Sequence, residues 1–389
     1  MIRSGTVFTD TRGQPVHAHG AGILLPASHP EGGDGRHFMV GTTQKQRVVR
    51  TFNGTQHEHW LSEAVNMYSS FDLEHWTFEA RILDNTSIPR HLLPSTEPAM
   101  FRIERPKVVY NRRTRRFVLY FHLDSVRFSL GMVGIATSSR AVGAYSFVTA
   151  FRPDGERSLD LTLFQEEDEA YLVRTVNNRY IGISRLASDY LNTTGIISRV
   201  PRSEAPAMWR DADGFYYLLA SGLSAWEPNS AILFRAAPPL DGATWQRLGN
   251  PSRNNRTFNS QPTFVLPYTS AKLPGRQLLL YMGDRWNALD LRSERPRASF
   301  DPGSVANASY VWLPLVRGLP GQRGCRGCAR LTPNKPAYVM PRLVGVWGNA
   351  LRWPVRDFLQ NASVTTRGSL RRGARRTPSR ARLRNRTCV

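Results

Sequence analysis

The chain has 389 residues, 41% hydrophobic, 10% aromatic and 21% charged, with 30 Gly and 26 Pro; this excludes a coiled coil, a collagen-like rod and a wholly disordered polypeptide. No run approaches the ~18 consecutive apolar residues of a membrane-spanning helix. The formal net charge of +22 points at first to nucleic acid or another acidic surface, but only four of the 52 basic residues are Lys, and nine Arg crowd between Arg367 and Arg386, where no acid occurs. Ahead of that tail, 43 basic residues face 30 acidic ones, and the remaining +13 is spread over more than 360 residues. That distribution reads as compositional bias, so no nucleic-acid partner is expected.

Taken in chain order, short β-branched and aromatic runs alternate with Gly, Asp, Asn and Pro turns, and helical periodicity is scarce. His19-Gly-Ala-Gly-Ile23 leads to the apolar runs Arg36–Val40 and Val65–Ser70. Glu104-Arg-Pro-Lys-Val-Val-Tyr110 leads to Arg116–Tyr120 and Gly134–Ser139, and Asp160-Leu-Thr-Leu-Phe164 to Ala170–Val173 and Ile181–Leu186. Glu204-Ala-Pro-Ala-Met-Trp209 leads to Phe215–Leu219 and Ala231–Ala236, and Gln261-Pro-Thr-Phe-Val265 to Gln277–Tyr281. The leading polar residues of these five units are offset by 85, 56, 44 and 57 residues. The pattern predicts an all-β fold, a five-bladed β-propeller of four-stranded blades over residues 1–358. A β-sandwich with a second domain competes, but does not account for a polar residue at the head of every unit. Residues 359–389 are predicted to form a disordered, Arg-rich tail, with an electrostatic tether to acidic polysaccharide or nucleic acid as the sharper alternative.

In a propeller the first strand of each blade lines the central axis. Glu104, Asp160, Glu204 and Gln261, with His19 nearby, are therefore expected to converge on one pocket. Carboxyl groups of divergent pKa at close quarters are what general acid/base hydrolysis requires. Taken singly, each is a turn-entry residue capping backbone groups; five in register favour a site.

Three cysteines, Cys325, Cys328 and Cys388, are too few for a disulfide-built scaffold. Cys325 and Cys328 form either a local loop clip or a pair of idle thiols, since no second pair completes a metal site. Asn-x-Ser/Thr sequons occur at Asn53, Asn85, Asn192, Asn255, Asn307, Asn361 and Asn385, an excess over chance that suggests a secreted glycoprotein. Met1-Ile2-Arg3-Ser4-Gly5 offers no apolar leader-like stretch, so that expectation rests on the sequons alone. His57, His59 and His122 have no partner at metal-ligand spacing and are expected to be structural. Packing between blades is the ordinary use of Trp60, Trp76 and Trp312, whereas Trp226 and Trp286 are candidate stacking platforms for sugar rings.

The ordered set of strings is similar to the family 43 glycoside hydrolases, and within them to the exo-β-1,3-galactanase-like subgroup. It comprises Asp10–Gly13, Ala18–Ile23, Val65–Leu73 with Trp76, Glu104–Asn111, Ser158–Phe164, Glu204–Met208, Ser224–Asn229, Ser260–Phe264, Tyr281–Trp286 and Tyr310–Leu315, collinear over about residues 5 to 357. The resemblance implies a five-bladed propeller and an inverting, exo-acting hydrolase that releases galactose from β-1,3-galactan chains of the arabinogalactan type. For inversion the two working groups stand roughly 6.5–9.5 Å apart, leaving room for a water. It further implies Glu204 as general acid, Gln261 as an amide at the base position acting as an imidic tautomer or with help from Glu104, and Glu104 orienting the water. Arg105, Asn178 and Ser224 become sugar contacts and Asp160 a carboxylate that contacts the sugar or tunes the acid, joined on the residue reading by His19, Trp226 and Trp286. No cofactor is implied: an axial calcium occurs in many family 43 enzymes, but no carboxylate cluster here demands one. Four positions depart from the pattern. Thr42 replaces a Glu, Phe128 a Tyr, Leu159 an Arg and Val176 a Glu, each removing a hydrogen-bonding group. The alternatives are a catalytically weakened carbohydrate-binding propeller, or a family 43 hydrolase acting on a different glycan.

Overall fold

The computed structural model describes residues 2–50, 56–225, 227–269, 277–286, 308–317, 338–340, 346–347 and 350–353. Among the described residues, five four-stranded antiparallel sheets follow one another in simple up-and-down order, and helix is confined to short 3₁₀ turns. Blade I is His19–Leu24, His37–Arg50, Gln56–Ser70 and Thr77–Asp84; blade II is Arg102–Asn111, Arg116–Asp124, Met132–Ser138 and Ser146–Phe151. Blade III is Ser158–Glu166, Glu169–Val176, Tyr180–Leu186 and Thr193–Pro201; blade IV is Glu204–Arg210, Tyr216–Ser221, Ile232–Ala236 and Gln246–Gly249. Blade V is Gln261–Thr269, Gln277–Arg285, Ser309–Arg317 and Tyr338–Val339. The predicted five-bladed propeller is borne out, with each predicted polar-headed run as the first strand of its sheet.

Middle strands read as near-continuous apolar runs because both faces of a blade are covered by neighbouring blades. Phe117 to Phe121 are all buried, while the outer strand Ser146–Phe151 is half-exposed throughout. Five apolar clusters fill the five gaps between adjacent blades. Val40, Met67, Leu119 and Phe121 lie between I and II, and Val118, Tyr120, Leu163 and Leu172 between II and III. Val173, Ile183, Leu218 and Phe234 lie between III and IV, and Trp209, Tyr217, Tyr281 and Leu313 between IV and V. Met39, Trp76, Tyr310 and Trp312 close the circle between V and I. Trp76 and Trp312 meet edge to face at 5.9 Å, and Trp60 is buried too, in keeping with the packing role expected of all three.

Ring closure uses the start of the chain, which the strand pattern did not anticipate. Ile2–Ser4 pairs antiparallel with Ala350–Trp353, and Gly5 and Thr6 exchange backbone bonds with Tyr310 of blade V. Residues 359–389, the expected boundary at 358, Cys325, Cys328 and Cys388 lie outside the described residues. Among the described residues no helix is long and apolar enough to cross a membrane.

Every first strand carries a register shift near its polar head: between His19 and Gly22, Glu104 and Lys107, Ser158 and Leu161, Glu204 and Ala207, and Pro262 and Phe264. Such bulges bend a strand and re-aim its side chains. At Gly20 the backbone has φ +67, and an added Cβ would lie 2.7 Å from the Arg105 backbone nitrogen, so two blades meet there with no room for a side chain. Gly20→Ala is expected to lower stability by about 2 kcal/mol or more through overpacking and left-handed strain. Denaturant unfolding beside Gly214→Ala, where φ is +83 but no atom lies within 4 Å, separates the two causes; equal losses would refute the close-packing account.

Candidate active site

A cavity of about 200 Å³ opens at the polar heads of the first strands. Its walls include Glu104, Arg105, Asp160, Asn178, Glu204, Gln261 and Trp286, so seven of the ten sequence-predicted site residues meet in one place. Arg105, only 3% exposed, sits at the centre. Its Nε donates to Asp160 Oδ1 at 2.9 Å, NH1 to the Pro262 carbonyl, and NH2 to Gln261 Oε1 at 2.5 Å. Arg105, predicted as a sugar contact, lines the cavity while three of its N–H groups are bound to protein acceptors that tie blade II to blades III and V.

Gln261 continues the chain of contacts. Its Oε1 also accepts from Trp286 Nε1 at 3.3 Å, while Nε2 faces Glu204 Oε1 at 3.2 Å and Ser221 Oγ at 3.1 Å. Arg and Trp side chains only donate, so the amide oxygen must face them and the nitrogen must face Glu204. Two donors on Oε1 stabilise the ordinary amide and oppose an imidic form, which would carry a proton on that oxygen.

Glu204 is 8% exposed. Burial, reinforced by the Asp160 carboxylate, raises its pKa to about 8, although Arg105 and the Ser224 backbone N–H pull the other way. It is therefore a protonated carboxyl at neutral pH.

Glu104 is held differently. His122 Nδ1 lies 2.7 Å from Glu104 Oε2, and His122 Nε2 lies 3.0 Å from Asp124 Oδ2. Asp124 in turn accepts from the backbone nitrogens of Ser125, Leu130 and Gly131. Burial alone would lower the His122 pKa, but its hydrogen bonds to the Asp124 and Glu104 carboxylates outweigh burial and raise it to about 10. His122, expected from sequence to be merely structural, is thus an imidazolium clamped between two carboxylates, with its ring on the cavity wall. Its partner lies on the preceding strand, a pairing invisible to any spacing rule along the chain.

Deeper on the axis, Asp284 Oδ2 accepts from the Gly20 nitrogen at 2.5 Å, and burial raises its pKa to about 7. Lys107 Nζ donates to the Gly20 carbonyl at 2.7 Å and more weakly to those of Pro106 and Arg105, at 3.3 and 3.4 Å. The carbonyls that converge on the axis thus face Lys107. Among the described residues no group of three His, Cys, Asp or Glu side chains is placed to hold a metal.

Three predicted contacts stand apart from the cavity. His19 is buried behind it, stacked on Tyr310 at 5.5 Å and 6.3 Å from Trp286, and burial lowers its pKa to about 3; its neighbour Gly20 lines the cavity instead. Ser224 Oγ turns away to the Glu227 carbonyl at 2.6 Å and Asn229 Nδ2 at 2.5 Å, leaving Ala225 on the wall. Trp226 lies outside the described residues. Of the four departures, Phe128 and Leu159 line the cavity with carbon, Thr42 Oγ1 bonds to the His19 carbonyl at 3.3 Å, and Val176 is fully buried. Gln44 and Arg157 also line the cavity and were not anticipated. Asn85 is 2% exposed, with its amide bound to the backbone of Ser62 and Phe101, so it is no glycan acceptor. Asn192 and Asn255 are exposed, and the remaining sequons lie outside the described residues.

Comparison with known proteins places this arrangement. No family model and no curated protein sequence matches the chain. Among solved structures, an exo-β-1,3-galactanase from Phanerochaete chrysosporium, bound to β-1,3-galactotriose, is 30% identical over 81% of this chain and 64% of its own length, with a TM-score of 0.63. An exo-β-1,3-galactanase from Clostridium thermocellum is 30% identical over 81% of this chain and 62% of its own, TM-score 0.65. A family 43 β-1,3-galactosidase bound to galactodeoxynojirimycin is 26% identical over 90% of this chain and 99% of its own, TM-score 0.67. The chain spans less than two thirds of the two galactanases. The resemblance to the family 43 glycoside hydrolases, and within them to the exo-β-1,3-galactanase-like members, thus holds in fold as well as in sequence.

The His122 clamp has a pH signature. Its folded pKa of about 10 lies above the ordinary 6.5, so its contribution is complete below about pH 6.5 and disappears as pH rises through 10. His122→Gln is expected to be less stable than the parent by about 3–5 kcal/mol near pH 6, as for breaking a buried ion pair. The difference should shrink steadily towards pH 10 and above. A gap that stays constant with pH in urea titrations would show that His122 is neutral.

Proposed function

We propose that the protein is an inverting, exo-acting glycosidase that releases galactose from β-1,3-galactan chains, with residues 1–358 as the catalytic propeller and 359–389 as an Arg-rich extension. The observation that carries this reading is Glu204, buried near Asp160 so that its pKa is raised, sharing one small cavity with Glu104, which His122 holds at 2.7 Å. Glu204 protonates the departing glycosidic oxygen. A water on the opposite face of the sugar, held by Glu104 with Gln261, attacks the anomeric carbon and passes its proton to Glu104. Gln261, with both ends of its amide engaged, acts by position rather than as a base. Asp160 keeps Glu204 protonated, Asn178 and Trp286 line the sugar's place, and His19 and Ser224 support Trp286 and Glu204 from behind. The exposed sequons at Asn192 and Asn255 suit a secreted protein.

A binding protein without turnover is the second reading, favoured by the carbon surfaces of Phe128 and Leu159 where hydroxyl-reading groups are expected. One assay decides between them. Purified protein is incubated with β-1,3-galactooligosaccharides and the anomer of released galactose is followed by NMR. Initial release of the α-anomer supports inversion, the β-anomer contradicts it, and binding without release supports the second reading.

Two variants carry the prediction further. Glu204→Gln is expected to lower kcat by at least about 10²-fold, the usual contribution of a general acid. In the parent, kcat/KM should fall as pH rises through about 8, where Glu204 loses its proton. Asp160→Asn removes a carboxylate that raises the Glu204 pKa, so that limb should move to lower pH. An unmoved or rising limb would exclude Glu204 as the acid.

A further inference from the structure

Six ionisable side chains line the cavity: Glu104, Asp160, Glu204, Arg105, His122 and Arg157. Glu104 is paired with His122 and Asp160 with Arg105, while Glu204 is protonated near neutral pH. Of the three cationic side chains, Arg157 alone has no carboxylate partner among the described residues. Its NH2 donates to the Phe128 carbonyl at 2.6 Å, and its buried Nε has no hydrogen-bond partner.

Its placement is built into the fold. Asn177 holds the Arg157 backbone from both sides: Oδ1 accepts from the Arg157 nitrogen at 3.2 Å, and the Asn177 nitrogen donates to the Arg157 carbonyl at 3.2 Å. The side chain lies over Gly131, where φ is +56 and an added Cβ would come within 2.8 Å of Nε. The same Gly131 nitrogen donates to Asp124, so the loop that seats Arg157 also supports the His122 clamp. The cavity wall that Arg157 shares includes Phe128, Leu159 and Asn178, and the side chains of the first two are carbon surfaces with nothing to offer a sugar hydroxyl.

A guanidinium without a counter-charge beside apolar walls reads an anion, because it gives carboxylate or sulfate oxygens paired, charge-assisted hydrogen bonds. We propose that Arg157 is a specificity residue that selects a terminal sugar carrying an anionic substituent, either the carboxylate of a hexuronic acid or a sulfate ester. This rests on the glycosidase reading and deepens it: the chemistry is that of Glu204 and Glu104, and Arg157 sets which sugar they act on.

The test compares kcat/KM of the full chain for three aryl β-glycosides: galactoside, hexuronide and sulfated galactoside. One anionic substrate should exceed the neutral one about tenfold, as for a hydrogen-bonded charge pair, and which of the two does so identifies the source of the anion. In Arg157→Gln the anionic-to-neutral ratio should fall about tenfold, and Arg157→Lys should restore part of it. The ratio is insensitive to the fraction of folded protein. A wild type that prefers the neutral galactoside, or a ratio unchanged in Arg157→Gln, overturns the proposal. If none of the three is cleaved, the glycosidase reading fails instead. Calorimetric binding of free galactose, galacturonate and sulfated galactose then decides on Arg157, with equal affinities in the wild type counting against it.

Discussion

One buried cation holds the site together. The Arg105 guanidinium lies among the polar heads of the first strands, where three of its N–H groups are matched to acceptors on other blades. It belongs to blade II, grips Asp160 of blade III and both Gln261 and the Pro262 carbonyl of blade V, and fits its backbone against Gly20 of blade I. Through Gln261 it reaches Glu204 and Ser221 of blade IV. A charge this deeply buried is tolerable only when it is paired, and removing a partner strands the other. Three of the polar heads are therefore not independent choices: Asp160, Glu204 and Gln261 answer neighbours on other blades, whereas Glu104 is held by His122 of its own sheet and His19 packs on Tyr310.

That mutual dependence also separates the roles of the carboxyl groups. Asp160 has Arg105 as its own cation. Glu204 has none to itself, feels Asp160 nearby, and is raised to about 8. Glu104 leans on His122, which Asp124 secures from behind with three backbone donors on its own oxygens. Asp284, buried with one backbone donor, rises to about 7. Carboxyl groups within one axial region are thus driven to different protonation states by burial and by which of them holds a cation, the arrangement acid and base chemistry needs.

Much of this was legible in the sequence, for a physical reason. Axial strands must begin with groups that satisfy one another, and the strands behind them must be apolar on both faces, so the alternation of a polar head with two apolar runs marks each blade. What escaped the sequence depends on contacts between strands. His122 pairs with Glu104 on the adjacent strand, 18 residues away, and Asp124, two residues further along the strand of His122, completes the clamp. Arg157 enters the cavity from the turn ahead of its strand, close to Leu159, which had been read as a lost guanidinium. Ile2–Ser4 is too short to carry a strand pattern and acquires its role only by pairing with Ala350–Trp353. His19 and Ser224 show the opposite error. Their positions in the pattern were right, but the bulged first strand presents Gly20 to the cavity in place of His19, and the left-handed turn at Ala225 presents Ala225 in place of Ser224. The sequon at Asn85 fails for a related reason, since a local motif cannot report that its amide is spent on the backbone of two other segments.

The account rests most directly on the protonation state of Glu204. Protein carrying carbon-13 at its glutamate carboxyls, titrated by NMR beside the Glu204→Gln variant to assign the signal, reads that state without any substrate. A carboxyl signal that titrates near pH 8 is the predicted result. Titration in the ordinary carboxylate range, between about pH 4 and 5, would contradict the central claim that burial beside Asp160, within the Arg105 network, makes Glu204 an acid.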